Sequence, residues 1–328
     1  MISKRTIGGI MYLDLAPLEG ITGALFRRLY HKYFPGIDRY YTPFISPTSD
    51  RTFTPKEQRE IFPQFNEGLQ VIPQLLTKNA GDFIWAANEL SDMGYKEINL
   101  NTGCPSGTVT AKGKGAGMLA DPDSLKRFLD EIFEHVPCKI SVKTRLGMEE
   151  PFEFDKILPV FEQYPICELI VHPRVRKDFY RHPVRTDCFD SIYAHTTLPI
   201  SYNGSIISPD DHAACAAKYP KLQAIMVGQG VISDPFLPSK IRFGAKEDIR
   251  ILREFHDALF DGYASQFSSR NNAAKRMKEI WIYLIETFED PKKYKKQLLK
   301  TKNADEYETA VSLIFSELKL LPASSGDW

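Results

Sequence analysis

One of the five cysteines, Cys104, lies in a setting that suits chemistry better than packing. It stands between Gly103 and Pro105, and a thiol with the ordinary pKa of about 8.5 is mostly protonated at neutral pH and can donate a proton. If its surroundings lower that pKa, the same group becomes a nucleophile. The sequence leaves both roles open. The other four cysteines lie in or beside apolar or helical segments and are interpreted as small hydrophobic residues: Cys138, Cys167, Cys188 and Cys215.

The spacing of the cysteines argues against metal and disulfide chemistry. Successive cysteines are 34, 29, 21 and 27 residues apart, with no CxxC pair and no cysteine and histidine cluster, so no metal site is expected. An odd count at wide spacing is also atypical of a disulfide framework. Five glycines between positions 103 and 117 predict a mobile loop over a ligand. The loop is not a Walker A motif, because Lys114 is followed by Gly115.

Polar residues also stand at the ends of short apolar runs along the first two-thirds of the chain. The run ends are Ala16-Pro17, Pro43, Gln74, Asn101, Lys143, His172, Asn203-Gly204 and Gly228. Unpaired polar groups at the ends of buried strands cost roughly 1–3 kcal/mol each, so a large polar ligand is expected to pair with them. The Gln74 amide suits the edge of a heterocycle and the Lys143 ammonium suits an anion, whereas His172 is either a core histidine or a ligand contact. The glycines allow backbone N–H groups to approach a phosphate.

The runs that position these residues alternate with helical segments. Eight runs, at residues 11–16, 40–44, 69–74, 97–101, 138–144, 168–172, 199–203 and 223–227, are separated by helical periodicity at 23–33, 82–93, 123–134, 152–163, 189–195 and 210–218. This alternation predicts a parallel sheet covered by helices. Eight units in about 230 residues favour an α/β fold of the (β/α)8 TIM-barrel type, and a doubly wound open sheet stays an alternative. Barrels of this type carry their chemistry at the C-terminal ends of the strands, where the polar residues lie.

After residue 240 the pattern becomes helical, with segments at 247–263, 271–288, 291–300 and 304–318. We therefore expect two domains, residues 1–240 as the barrel and residues 241–328 as a small C-terminal all-helical domain. Residues 270–302 contain ten Lys or Arg and four acidic residues, so this segment has a net charge of +6. Such a segment is either a solvated surface or a binding site for the phosphate backbone of a nucleic acid.

The composition of the 328 residues is that of a globular protein. Hydrophobic residues make up 43% and charged residues 26%, which excludes disorder, collagen and coiled coils. Lys+Arg and Asp+Glu are 42 each, so any basic surface is local. No apolar run approaches the ~18–20 residues that span a bilayer, and the first residues lack a signal-type apolar core. We expect an uncleaved, cytoplasmic protein with no membrane partner.

Taken in order, the motifs resemble those of the tRNA-dihydrouridine synthases, which use a flavin to reduce the C5=C6 bond of specific uridines in tRNA. The matching pieces are Ala16-Pro17-Leu18-Glu19-Gly20-Ile21-Thr22, Gln74, Asn101-Thr102-Gly103-Cys104-Pro105, Gly115-Ala116-Gly117, Val142-Lys143-Thr144-Arg145-Leu146-Gly147, Val171-His172-Pro173-Arg174 with Tyr180, Asn203-Gly204-Ser205-Ile206, and Met226-Val227-Gly228-Gln229-Gly230 with Asp234-Pro235. The resemblance covers residues 11–240 strongly and the helical segment more weakly, through residues 276–288.

The resemblance implies a barrel that binds FMN, followed by a helical domain that binds tRNA. Cys104 would protonate C5 of the uracil while C6 receives a hydride from flavin N5. Asn101 would help to position the base, and Arg145 and Arg174 would contact substrate or cofactor anions. Eight residues would line the FMN: Pro17, Gln74, Lys143 (near the pyrimidine edge), His172, Asn203, Gly204, Gly228 and Gln229. Six would contact RNA: Lys275, Arg276, Lys292, Lys293, Lys295 and Lys296.

The resemblance also implies a nicotinamide reductant, NADPH or NADH, that meets the flavin directly, because no GxGxxG follows a strand. Two residues depart from the family pattern. Gln229 stands where the family usually has Arg, which removes a charge-assisted phosphate contact, and Pro173 replaces a residue that is often Gly or Ala. Two other functions stay open, an FMN-barrel reductase of a free small molecule and a flavin-free tRNA-binding relative. We expect a monomer.

Overall fold

The computed structural model describes residues 11–321 of the chain. Residues 1–10, on which the expectation of an uncleaved N-terminus depends, and residues 322–328 of the expected helical domain lie outside the described residues. No helix among residues 11–321 is long and apolar enough to cross a membrane.

In the described part of the chain, nine strands form one parallel sheet that closes on itself. They are β1 (Tyr12–Leu15), β2 (Arg39–Tyr41), β3 (Val71–Ile72), β4 (Gln74–Leu75), β5 (Glu97–Thr102), β6 (Lys139–Arg145), β7 (Leu169–His172), β8 (Ile200–Asn203) and β9 (Ala224–Val227). The order in the sheet is β3-β2-β1-β9-β8-β7-β6-β5-β4. Because only Pro73 separates β3 from β4 in the chain, the two ends of this order meet and complete the ring. The prediction of a TIM-barrel fold is confirmed.

The third predicted run, 69–74, is divided at Pro73 into β3 and β4. Val71 and Ile72 pair with β2, whereas Gln74 and Leu75 pair with β5. Proline has no N–H to donate to a sheet, so the ladder changes partners at this residue. The Pro73 carbonyl still accepts a bond of 2.8 Å from the Asn99 N–H. After this interruption Gln74 begins β4, and its side chain is fully buried.

Within residues 11–321, ten α-helices accompany the barrel strands. They are α1 (Ala24–Tyr33), α2 (Pro55–Ile61), α3 (Ala80–Asp92), α4 (Gly107–Thr110), α5 (Pro122–His135), α6 (Phe154–Phe161), α7 (Thr186–His195), α8 (Pro209–Lys218), α9 (Gln229–Ser233) and α10 (Leu237–Phe243). Short 3-10 helices occur at Pro63–Phe65, Gly115–Ala120, Pro151–Glu153 and Arg176–Asp178. The six predicted helical segments correspond to α1, α3, α5, α6, α7 and α8, whereas α2, α4, α9 and α10 were not predicted from the sequence.

The C-terminal segment consists of α11 (Ile249–Phe267), α12 (Arg270–Leu284), the 3-10 turn Ile285–Thr287, α13 (Lys292–Lys300) and α14 (Ala304–Glu317). The expected boundary at residue 240 falls inside α10. Phe255 of α11 packs edge-on against the Phe26, Tyr30 and Phe34 rings of the barrel, at centroid distances of 5.8, 6.2 and 5.0 Å. Removing the helical segment would expose this aromatic face of α1, so functional tests require the full chain.

A charged cluster fills the N-terminal end of the barrel. The guanidinium of Arg39 is held by Asp14 at 2.6 Å and by Glu168 at 2.7 Å, and all three side chains are buried. A buried ion pair of this kind is costly unless its hydrogen bonds are satisfied. Here each carboxylate accepts two hydrogen bonds from Arg39, so both contacts are bidentate. The cluster closes this end of the barrel, and a cavity lies at the opposite end.

Candidate active site

A cavity of about 440 Å³ opens where the strands end. Its wall consists of Pro17, Leu18, Glu19, Ile21, Phe44, Gln74, Asn101, Gly103, Cys104, Pro105, Ser106, Gly107, Lys143, Arg145, His172, Phe179, Tyr180, Gln229 and Tyr283. Most of these residues follow barrel strands, because parallel strands in a barrel present all their C-terminal ends on one face. Tyr283 is different, since it comes from α12 of the helical segment.

Eight of the predicted site residues line this cavity: Pro17, Gln74, Asn101, Cys104, Lys143, Arg145, His172 and Gln229. Arg174, Asn203, Gly204 and Gly228 are not part of its wall. The Asn203 amide donates 2.9 Å to the Met226 carbonyl, so it links β8 to β9. A Cβ on Gly204 would approach Val184 Cγ1 to 2.7 Å, which explains the glycine there by packing. The roles of all these residues stay predictions.

The Asn101 side chain fixes the backbone that carries Cys104. Its Oδ1 accepts hydrogen bonds from the backbone N–H groups of Gly103 at 3.0 Å and Cys104 at 2.9 Å. Its Nδ2 donates 2.7 Å to Gln74 Oε1. The Gln74 amide also donates to a buried asparagine, so one of its N–H groups is left for a ligand. Asn101 therefore positions the Cys104 turn, a contribution the sequence did not predict.

The segment after Cys104 is folded into α4 and the 3-10 helix Gly115–Ala120, and its predicted mobility stays a prediction. Ala116 N–H donates 3.1 Å to the Cys104 carbonyl, and both Gly115 and Ala116 are buried. Gly115 has φ +58°, and a Cβ there would lie 2.9 Å from the Cys104 Cβ and carbonyl oxygen. Glycine is required at position 115 because a side chain would be both strained and in contact with the reactive residue.

The Cys104 thiol is half-buried at the cavity wall. Burial raises the pKa of Cys104, although a backbone hydrogen bond from Ser106 and the positive charges of Arg145 and Lys143 oppose the rise. A raised pKa keeps the sulfur protonated at neutral pH. Of the two roles that the sequence left open, the environment favours the proton donor over the thiolate nucleophile.

Two basic side chains face the cavity without an acidic partner among the described residues. Lys143 is half-buried, its ammonium makes no hydrogen bond or ion pair within residues 11–321, and burial next to Arg145 lowers its pKa to about 7. Arg145 donates to the carbonyls of Gly103 and Val175, but its Nη2 is buried with no partner in the part of the chain that the structure describes. Buried cations without anions are costly, so the cavity suits an anionic ligand.

His172 is held by Arg174. Arg174 Nη1 lies 2.8 Å from His172 Nε2, and since a guanidinium can only donate, Nε2 must accept. The proton of the neutral ring is thereby assigned to Nδ1. Burial, together with Arg145, Lys143 and Arg174, lowers the pKa of His172, so the ring stays neutral. Arg174 also donates 2.6 Å to the His182 carbonyl and 3.2 Å to Ser205 Oγ, and no carboxylate pairs with it among the described residues.

Three aromatic residues of the cavity wall were missed by the sequence analysis: Phe44, Phe179 and Tyr283. Phe179 has φ +49°, a left-handed conformation that is strained for a bulky residue and often marks a functional site. Arg145 lies over the Tyr180 ring at 5.2 Å from its centroid. No sequence signal identified Tyr283, because only the packing of α12 against the barrel brings it to the cavity.

The six predicted RNA contacts differ in their surroundings. Lys275, Lys292, Lys293 and Lys296 are exposed. Lys295 forms an ion pair of 2.5 Å with Glu286, and Arg276 donates 2.7 Å to the Gly20 carbonyl next to the cavity wall. Arg276 thus joins the helical segment to the barrel. Among residues 11–321, no group of three or more His, Cys, Asp or Glu is arranged to hold a metal ion.

Comparisons with known proteins identify the family to which this chain is similar. Residues 14–319 match the model of the family described as dihydrouridine synthase. The tRNA-dihydrouridine(16) synthase of Ralstonia nicotianae is 29% identical over 238 residues, which cover 70% of this chain and 72% of the relative. The tRNA-dihydrouridine synthase B of Shewanella oneidensis is 26% identical over 318 residues, 93% of this chain and 96% of the relative.

Among solved structures, morphinone reductase superposes with a TM-score of 0.51 at 12% identity, covering 71% of this chain and 86% of that one, which shows a shared barrel fold. The family match spans nearly the whole described chain and includes every strand residue of the cavity wall. The chain belongs to the dihydrouridine synthase family, whose members are flavin-dependent oxidoreductases.

Proposed function

We propose that this protein is a tRNA-dihydrouridine synthase that binds FMN in the barrel cavity and reduces the C5=C6 bond of specific uridines in tRNA with NAD(P)H, for which we expect NADPH. One observation carries the proposal: the half-buried Cys104 thiol faces the same cavity as the basic groups of Lys143 and Arg145, which have no carboxylate partner among residues 11–321. Family membership and the names of the relatives support the substrate.

The residues present fit a flavin. Within the part of the chain that the structure describes, the Lys143 ammonium has no partner, Arg145 Nη2 is a buried donor without an acceptor, and Gln74 has one free N–H for a heterocyclic edge. The neutral His172 ring can donate from Nδ1. When bound, the flavin supplies a hydride to C6 of the uracil. Pro17 and Gln229 line the same cavity, and Asn203, Gly204 and Gly228, which lie outside its wall, are the remaining proposed FMN contacts.

Cys104 supplies the proton in this proposal. Addition of hydride to C6 leaves charge at C5, which the Cys104 Sγ–H neutralises by general acid catalysis. Asn101 holds the Cys104 backbone at the cavity wall, and Arg145 and Arg174 contact anionic groups of the substrate or cofactor. The target base must leave its stack to reach the cavity, as enzymes that act on nucleobases generally require.

The cofactor part of the proposal is tested by the absorption of the purified protein. A bound isoalloxazine gives bands near roughly 370 and 450 nm, and we expect them in the full chain after loading with FMN. Addition of NADPH should bleach the 450 nm band, and tRNA lacking dihydrouridine should restore it. A protein that stays colourless after loading would contradict the proposal and favour a flavin-free RNA-binding relative.

The proposed RNA-binding role of residues 241–328 is tested with lysines that have no ion pair to any residue from 11 to 321. Replacing Lys292, Lys293 and Lys296 by Gln should weaken tRNA binding and reduce its salt dependence by about one unit of slope for each lysine that contacts a phosphate. Lys295 is left in place because it pairs with Glu286. Oxidation of NADPH by the bound flavin should not change.

The matched control replaces three exposed lysines at the opposite end of the barrel. Lys96 precedes β5, Lys139 begins β6 and Lys221 precedes β9, so all three lie at N-terminal strand ends. Their replacement by Gln removes the same charge and should leave tRNA affinity unchanged. Equal effects of the two triple variants would show that only net charge matters. The α13 lysines would then be interpreted as part of a solvated surface and not as an RNA-binding site.

A further inference from the structure

A chain of hydrogen-bonded amides runs inside the barrel to the Cys104 turn. Asn99 lies in β5 two residues before Asn101, so both side chains point to the barrel interior, and Asn99 is fully buried. Asn99 Nδ2 donates 2.9 Å to Ser141 Oγ, and its Oδ1 accepts 2.8 Å from Gln74 Nε2. Gln74 Oε1 in turn accepts 2.7 Å from Asn101 Nδ2. We call Ser141, Asn99, Gln74 and Asn101 the amide relay.

The direction of the amide relay is fixed from the Cys104 end. The backbone N–H groups of Gly103 and Cys104 can only donate, so the oxygen of Asn101 must face them. The Asn101 nitrogen then faces Gln74 and requires an oxygen there, which turns the Gln74 nitrogen toward Asn99. Turning any one amide around would set donor against donor in a buried place. Each orientation in the relay therefore depends on the next residue.

We propose that Asn99 is a positioning residue for the reduction: it holds the Gln74 amide, and through Gln74 and Asn101 it sets the place of the Cys104 thiol at the cavity wall. The inference rests on the proposed function of Cys104 as the proton donor. Asn99 itself is buried beneath Gln74 and does not line the cavity. Without its oxygen the Gln74 amide can rotate, Asn101 loses its fixed acceptor, and the Gly103–Cys104 backbone is released.

The test compares two asparagines of similar burial. Asn99→Ala removes the relay, whereas Asn66→Ala removes a buried asparagine that bonds Arg27 and the Glu60 carbonyl outside the barrel. Asn99→Asp is the rescue variant, because one carboxyl oxygen accepts from Gln74 and the other, in the protonated form that burial favours, donates to Ser141. All variants are made in the full, FMN-loaded chain.

Two quantities are measured. We expect Asn99→Ala to lower kcat for uridine reduction about 10- to 100-fold with little change in KM for tRNA, because small misplacement of a reacting group is costly. We also expect the rate at which iodoacetamide alkylates Cys104, followed by mass spectrometry of its peptide, to change at least about threefold, while Cys138 and Cys167 react as in the parent. Asn99→Asp should stay within about threefold of the parent in both, and Asn66→Ala should match the parent.

The inference is overturned if Asn99→Ala keeps the parent's kcat and Cys104 alkylation rate, or if Asn66→Ala changes both to the same extent. If Asn99→Ala does not fold, Asn99→Ser takes its place. The serine side chain is one bond shorter than that of asparagine, so its hydroxyl does not reach the Gln74 nitrogen. Failure of the proposed function looks different, because the parent itself would then bind no flavin and reduce no uridine. The alkylation measurement still tests the relay in that case.

Discussion

Replacing Cys104 by Ala is expected to leave FMN bound and to lower the rate of uridine reduction by about 10²- to 10⁴-fold, the usual contribution of a positioned general acid. The thiol is one group of a wall that also includes Lys143, Gln74 and His172, so its loss removes no charge from the flavin site. Cys104→Ser should recover little, because a hydroxyl is a far weaker acid than a thiol. The measurement is the single-turnover reoxidation of reduced flavin by tRNA.

The pH dependence of this step follows from the environment of the thiol. Burial raises the pKa of Cys104 above the ordinary value of a cysteine thiol, so the donor form persists to higher pH than for a free cysteine. We expect the rate to be flat through neutral pH and to fall only in the alkaline range, as the sulfur loses its proton. A rate that instead increases as pH rises through 7 to 9 would indicate a thiolate nucleophile and contradict the acid role.

The matched control is Cys138→Ala. Cys138 is also half-buried, but it precedes β6 at the opposite end of the barrel. Its replacement should leave both flavin content and uridine reduction unchanged. If Cys104→Ala retained the parent's turnover, Cys104 would not be the proton donor, whatever the flavin content.

The fold could be predicted because its signals are local. Each barrel strand is a short apolar run, and helical periodicity fills most of the gaps, so the alternation alone indicates a parallel barrel. The helix α2 was missed although its start is encoded: Thr54 and Glu57 cap each other at 3.3 and 2.9 Å, with Pro55 in the first turn. The helix is only seven residues long, which is too short to show a clear apolar face.

The candidate site was predictable only where it coincides with strand ends. Gln74, Asn101 and Lys143 were identified because polar residues after buried runs need partners. Tyr283 was not, since its place in the wall depends on how α12 docks on the barrel, a contact between positions far apart in the chain. The amide relay was missed for a related reason: Asn99 looks like an ordinary polar residue in a strand until the pairing of β4 with β5 sets it beside Gln74.

Lys143→Met is expected to weaken flavin binding and to stabilise the flavin-free protein at the same time. Burial next to Arg145 lowers the pKa of Lys143 from 10.5 to about 7, so the folded, unliganded chain holds this ammonium at a cost. Between pH 7 and 10 the unfolded chain binds the extra proton, and the free energy of unfolding of the unliganded protein should rise with pH over this range. The methionine variant should lack that rise and should melt at a higher temperature near pH 7.

Binding of an anionic ligand reverses this balance, because a nearby negative charge favours the ammonium form and raises the pKa of Lys143. Below pH 7 the lysine is already charged, and above it binding must take up a proton, so the Kd of FMN should increase with pH by up to about tenfold per unit. Lys143→Met should raise Kd about 10- to 100-fold near pH 7, the range of a lost charged hydrogen bond, and should flatten this pH dependence.

Lys139→Met, at the exposed start of the same strand, is the matched control and should change neither quantity. Lys143→Met is expected to stabilise the flavin-free protein and to weaken FMN binding, and a loss of folding cannot produce both effects. If the variant still bound FMN tightly and with the same pH dependence, another residue of the cavity would pair with the charge on the ligand.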